Sequence, residues 1–150
     1  MFDLTIEEAK FYCRGQRIDT REWVYGFVVI RKDRFYIATS DNIDFMTESF
    51  GGHFDIKLVE VIPRTVGGYS TVNDMNDIKV FEGDIVENII TPEAPFSQVH
   101  RNEVVFEDGN YYAEGVINIE TYDFEYCHVI GNIFDHPELR PVPIIDQIEY

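Results

Sequence analysis

Two apolar, β-branched runs separated by two residues constrain this chain more than anything else in it. Residues 22–31 read EWVYGFVVIR and residues 34–39 read RFYIAT, with Lys32-Asp33 between them. Runs of that length across a two-residue connection predict a β-hairpin. Gly26 interrupts the first run. A glycine inside a strand marks a bulge or the close approach of another backbone. Residues 11–17 predict a strand before the hairpin, with a polar turn over 18–21. Residues 53–62 alternate well enough to predict another strand.

The same grammar continues downstream. Residues 78–81 and 84–90 predict strands on either side of Glu82-Gly83. Residues 99–106 and 111–116 predict a hairpin through Asp108-Gly109, because Asp-Gly supplies positive φ at little cost. Residues 126–134 predict a last strand, while 40–52 and 91–96 read as loops. A helical turn is suggested only over residues 4–10, with Thr5 capping and Glu8 three residues later. The nine tyrosines and twelve phenylalanines favour pleated, half-buried surfaces. The expectation is a mainly β chain with little helix, built of small barrels or sandwiches. Pro63 and the Gly, Asn and Asp residues that follow it place a subdomain junction there. An N-terminal β subdomain is expected over residues 1–62, a second subdomain over 63–140, and a tail over 141–150.

Charge is spread unevenly. The formal net charge is -16, yet residues 1–35 hold seven of the twelve basic residues against six acids. The remaining residues hold five basic and twenty-two acidic side chains, a net of -17. Such a surface repels phosphate backbones and disfavours nucleic-acid binding by the C-terminal part. It suits a basic partner or simple solubility. Cys13 and Cys127 read as ordinary reduced packing residues. No basic-plus-apolar leader and no long apolar run stands out, so a cytoplasmic protein without a membrane segment is expected.

Little in the chain has the pattern of site chemistry. The histidines at 53, 100, 128 and 136 match no metal-ligating spacing. His53 and Asp55 share a strand face, which reads as a solvated face. Asp74-Met75-Asn76-Asp77 has the look of a calcium loop but lacks its Gly and terminal Glu, and reads as a turn. No residue set points to a catalytic centre, a metal or a cofactor. Two surfaces could bind a partner. One is acidic: Glu82 and Asp84 on one strand face, with Glu87 nearby. The other is aromatic and basic: Trp23, Tyr25 and Phe27 alternate in phase on one strand, beside Arg14, Arg17 and Arg21. Rings with arginines stack bases in single-strand binders, although a core face with a basic turn is the plainer explanation.

Four blocks together resemble the YopX family of phage and prophage proteins. They are FYCRGQRIDTREWVYGFVV at 11–29, VIPRTVGGYSTVNDMNDIKVFEGDIVE at 61–87, NEVVFEDGNYYAEG at 102–115 and VIGNIFDHPEL at 129–139. In the second block, Asp77 stands where the family usually has a turn glycine, and aspartate adopts a left-handed conformation at modest cost. The resemblance implies a β-rich N-terminal part and a C-terminal SH3-like small barrel, the latter opening at Gly83-Asp84-Ile85-Val86. It implies no catalytic residues. The functional expectation is a non-enzymatic phage or prophage accessory protein in the cytoplasm of the bacterial host. It would act through contacts with a host or phage protein, its acidic surface facing a basic partner. A homo-oligomer is also expected, because sheet edges pair. The rival readings are an SH3-like nucleic-acid-binding module using the N-terminal basic and aromatic cluster, and an enzyme with an unrecognised site.

Overall fold

The structure, a computed structural model, describes residues 11–40, 56–89 and 99–141. The expected helical turn at 4–10, the His53–Asp55 face, both long loops and nearly all of the 141–150 tail lie outside the described residues. The chain is mainly β, with two antiparallel sheets, and it divides into two compact units, Met1–Tyr69 and Ser70–Tyr150.

In the first unit, β1 (Cys13–Gln16), β2 (Trp23–Arg31), β3 (Arg34–Ser40) and β4 (Ile56–Val61) form a meander in the order β4-β3-β2-β1. The β2–β3 hairpin turns where the sequence predicts, with Lys32 and Asp33 at φ 50° and 64°. Two positive φ values in a two-residue loop match the right-handed twist of the flanking strands. A fifth strand, β5 (Gly67–Asn73), pairs with β1 through Cys13 opposite Gly68 and Arg14 opposite Gly67. It was not expected from a stretch read as turns.

The meander curls. Arg17 forms an isolated bridge to Val61, Ile62 N donates to Gln16 O at 2.9 Å, and Ile18 N donates to Glu60 O at 3.2 Å. The end of β1 therefore reaches β4, the far strand of the same meander. Small residues make this tight curl sterically feasible. A Cβ on Gly15 would lie 3.1 Å from the Val61 side chain, and one on Gly26 only 2.1 Å from the Ala38 carbonyl oxygen. Ile37 and Val61 are fully buried inside the curl. Thr65, on the 3-10 turn Pro63–Thr65, locks the corner: its hydroxyl accepts from Gln16 N and donates to Ile62 O.

The second unit holds the remainder of β5, then β6 (Lys79–Phe81), β7 (Asp84–Ile89), β8 (Val99–Glu107), β9 (Asn110–Glu114), β10 (Ile119–Glu120) and β11 (His128–Asn132). The last five form a sheet in the order β10-β9-β8-β7-β11. Its core is Val80, Val86, Val104, Ala113, Ile119, Phe124 and Cys127. Phe124 comes from a 3-10 turn, Thr121–Tyr126, that separates the two edge strands. The expected barrel closure is not present among the described residues. β10 pairs only with β9 and β11 only with β7, and a register shift between Val129 and Gly131 bends the latter. The sheet is open.

No helix among the described residues is long and apolar enough to cross a membrane.

Candidate functional site

Cross-strand register decides which side chains of the first unit share a face. Gln16 stands opposite Trp23, Arg14 opposite Tyr25, and Cys13 opposite Gly26, which sets Tyr12 against Phe27. On the other side of β1, Tyr69 N donates to Tyr12 O. Residues paired across an antiparallel ladder project from the same face. Tyr12, Arg14, Trp23, Tyr25, Phe27 and Tyr69 therefore share one face, and the predicted phase of the β2 aromatics holds.

The rings touch one another. Tyr12 stacks on Tyr25 with centroids 6.4 Å apart and planes 12° apart. It meets Phe27 and Tyr69 edge-on, at 6.3 and 6.5 Å. The Arg14 guanidinium carbon lies 4.4 Å from the centroid of Trp23, within the range where a cation is attracted to the ring face. Gly67, directly opposite Arg14 on β5, adds no side chain to that row. Burial, and secondarily the neighbouring Tyr25, pushes the Tyr12 phenol above its ordinary pKa.

This face is buried on one side and open on the other: Arg14 and Tyr69 are buried, Tyr25 is 44% exposed and Phe27 41%, and the opposite face of the curl holds the fully buried Ile37 and Val61. Tyr25 and Phe27 stay exposed because the meander curls toward Ile37 and Val61. The three arginines also part company. Arg14 is buried among the rings. Arg17, three residues on, projects from the other face and forms a bidentate ion pair with Asp19 at 2.9 Å. Arg21 lies in the turn at φ 66°. Only Arg14 joins the aromatic cluster.

The acidic set does not assemble into one solvent-facing patch. Glu82 sits in the Glu82-Gly83 turn rather than on a strand face with Asp84, and burial raises its carboxyl pKa. Asp84 is 2% exposed, and its carboxylate accepts the Phe81 backbone N–H at 2.8 Å. Glu87 pairs with Arg101 at 3.3 Å. Asp74, the first residue of the calcium-like run, is a structural acceptor. Its oxygens take the N–H groups of Asn76, Ile78 and Val129. Among the described residues, no group of three metal-ligating side chains converges.

Both cysteines are free thiols. Burial first, then Asp123 and Asp74, pushes Cys127 from 9.0 up to about 11. A thiol whose folded-state pKa lies above its unfolded value contributes stability that is whole below pH 9 and is lost as pH climbs toward 11. Native protein at neutral pH should therefore label with a thiol reagent at the half-buried Cys13 and not at Cys127. Rapid labelling of Cys127 in the folded state would contradict the buried geometry.

An antiparallel β chain of two units, with an aromatic face on the first, is the class these observations define. The YopX protein family matches residues 18–140. That span covers most of the 150 residues, and the chain belongs to the YopX family. Among solved structures it is similar to the crystal structure of protein EF1440 from Enterococcus faecalis. The TM-score is 0.52 at 20% identity, over 85% of this chain and 96% of that one. Likeness at that identity speaks to the fold alone. No curated protein matches the chain.

Proposed function

We propose that this YopX-family protein is a non-enzymatic phage or prophage accessory protein that binds a host or phage protein, with the aromatic face of β1 and β2 as its contact surface. One observation carries the reading: Tyr25 and Phe27 are large rings held in fixed register by a β ladder and left nearly half exposed. Aromatic side chains with few rotatable bonds lose little entropy on binding, and such residues dominate interface energetics. Replacing both Tyr25 and Phe27 by alanine should weaken partner capture by more than about 2 kcal/mol while leaving the circular dichroism spectrum unchanged. Capture by the variant at wild-type strength would remove the proposal.

A second reading has its own support. The exposed ring of Tyr25, beside Trp23 with the buried Arg14 guanidinium over it, supports a surface on which bases of a single strand stack. Pull-down with and without nuclease separates the two. A partner that survives nuclease supports the protein reading, and a nuclease-sensitive signal supports the other.

We propose an SH3-like arrangement for residues 63–140, supported by the 3-10 turn Thr121–Tyr126, which lies between the two edge strands β10 and β11 in sequence and inserts Phe124 into the core.

A further inference from the structure

Asp108 and Gly109 form the tip of the β8–β9 hairpin, at φ 53° and 80°, and Glu107 pairs with Asn110 behind them. They are the chain's one Asp-Gly pair, and it has no Asn-Gly pair. Every other aspartate and asparagine is followed by a residue with a side chain. Both tip residues are exposed, and nothing lies within 4 Å of where a Cβ on Gly109 would stand. Asn110 Nδ2 donates to the Asp108 main-chain carbonyl at 3.5 Å, a contact that engages neither the Asp108 carboxylate nor Gly109 N. Among the described residues, no hydrogen bond or ion pair engages either of those two groups.

Two groups that react with each other are therefore adjacent, unengaged and open to water. The amide nitrogen of a residue attacks the side-chain carboxyl carbon of the aspartate before it and closes a five-membered succinimide. A C–N bond forms, the C–O bond to the carboxyl hydroxyl breaks, and that hydroxyl leaves with the amide proton as water. A second water then opens the ring. Opening at the side-chain carbonyl restores aspartate. Opening at the main-chain carbonyl gives isoaspartate, in which the chain runs through Cβ and Cγ and the former main-chain carbonyl becomes a free carboxylate. One water is lost and one is gained, and no other reactant takes part.

We propose that Asp108-Gly109 is a modification site, at which the native protein isomerises to isoaspartate through a succinimide. Gly109 puts no side chain in the way of its own nitrogen and leaves the backbone free to rotate. Ring closure takes the backbone out of the left-handed turn, and the tip of a hairpin is where that opening costs least. The product does not fit back. A two-residue loop with positive φ at both positions matches the twist of its strands, and isoaspartate lengthens that loop by one backbone methylene. The Glu107–Asn110 pair then loses its register, and with it the hydrogen bond that the Tyr112 hydroxyl donates to Glu107 at 2.6 Å. The buried Val104–Ala113 pair, three pairs further in, confines the change to the tip. The inference is independent of the proposed contact surface on β1 and β2.

The test is to hold the whole protein for weeks at neutral pH and physiological temperature, folded in buffer and unfolded in urea, and then to digest both samples. The peptide containing Asp108 is expected to split into two chromatographic peaks of equal mass. The new peak should resist a protease that cuts before aspartate, and should accept a methyl group from an isoaspartyl methyltransferase. Its rate of appearance in the folded protein should lie within about tenfold of the unfolded rate, because the tip opens at little cost. Asp108→Glu keeps the charge but would need a six-membered ring, so the new peak should vanish. Asp108→Asn should react faster than the parent, because the amide loses ammonia more readily than the ionised carboxylate loses water, and its product gains one mass unit. No new peak in the folded protein while the unfolded chain reacts would show that the ladder holds the turn shut, and would overturn the proposal. A chain unreactive in both states would overturn it too, as would a new peak that persists in Asp108→Glu.

Discussion

Replacing Gly26 with valine is expected to cost the first unit about 3 kcal/mol or more and to prevent the meander from closing on itself. The cause is backbone against backbone. A Cβ at this position would stand 2.1 Å from the Ala38 carbonyl oxygen and 3.0 Å from its carbon. Neither atom belongs to a side chain that can swing away. The strands would have to part at the Phe27–Ala38 pair that begins the β2–β3 ladder. Alanine at this position should be nearly as damaging, because the clash begins at Cβ. Gly15→Ala provides the comparison: the nearest atoms its Cβ would meet belong to the Val61 side chain, at 3.1 Å, and not to backbone. Chemical denaturation monitored by Trp23 fluorescence reads the first unit directly. A Gly26→Val midpoint equal to wild type would show that the close approach is not real.

That glycine was legible in the sequence because a gap in an otherwise β-branched run has few structural meanings. The Asp108-Gly109 hairpin was legible because Asp-Gly supplies positive φ at little cost, and so was Asp77, which adopts the left-handed φ of 64° expected of it. β5 was not. Gly67, Gly68, Ser70 and Asn73 carry turn composition, and only the pairing of Gly67 and Gly68 with β1 makes them a strand. β10 is two residues long and has no period to detect. The 3-10 turn did leave a trace, Thr121, Phe124 and Cys127 at intervals of three, which a search for periods of 2 and 3.6 passes over.

The candidate surfaces divide in the same way. The phase of Trp23, Tyr25 and Phe27 follows from strand alternation, whereas their exposure depends on which way the meander curls. That is fixed by the remote bridge between Arg17 and Val61. Alternation could also have separated Arg14 from Arg17, since residues three apart on a strand face opposite ways. The burial of Asp84 had no comparable signal. It depends on an N–H three residues earlier, presented across the Glu82-Gly83 turn.

Asp74→Ala should be at least as disruptive in the second unit, by about 4 kcal/mol. The carboxylate is 4% exposed and accepts three backbone N–H groups: Asn76 at 2.8 Å, Ile78 at 2.9 Å and, fifty-five residues away in sequence, Val129 at 2.9 Å. Alanine leaves three donors without an acceptor, two in the 74–78 loop and one on β11. An unmet buried donor costs more than a typical hydrogen bond contributes. Asp74→Asn separates the two halves of the interaction. Its single carbonyl oxygen can serve Asn76 and Ile78, but its amide then presents a donor to the Val129 N–H. Hydrogen exchange should show Val129 losing protection in both variants, with the loop amides retaining theirs in the asparagine variant. Unchanged stability and exchange in Asp74→Ala would show that the loop and β11 are held by something else. The same bonds explain why an Asp-Met-Asn-Asp run behaves here as a turn: the oxygens that a cation would need already accept backbone N–H groups.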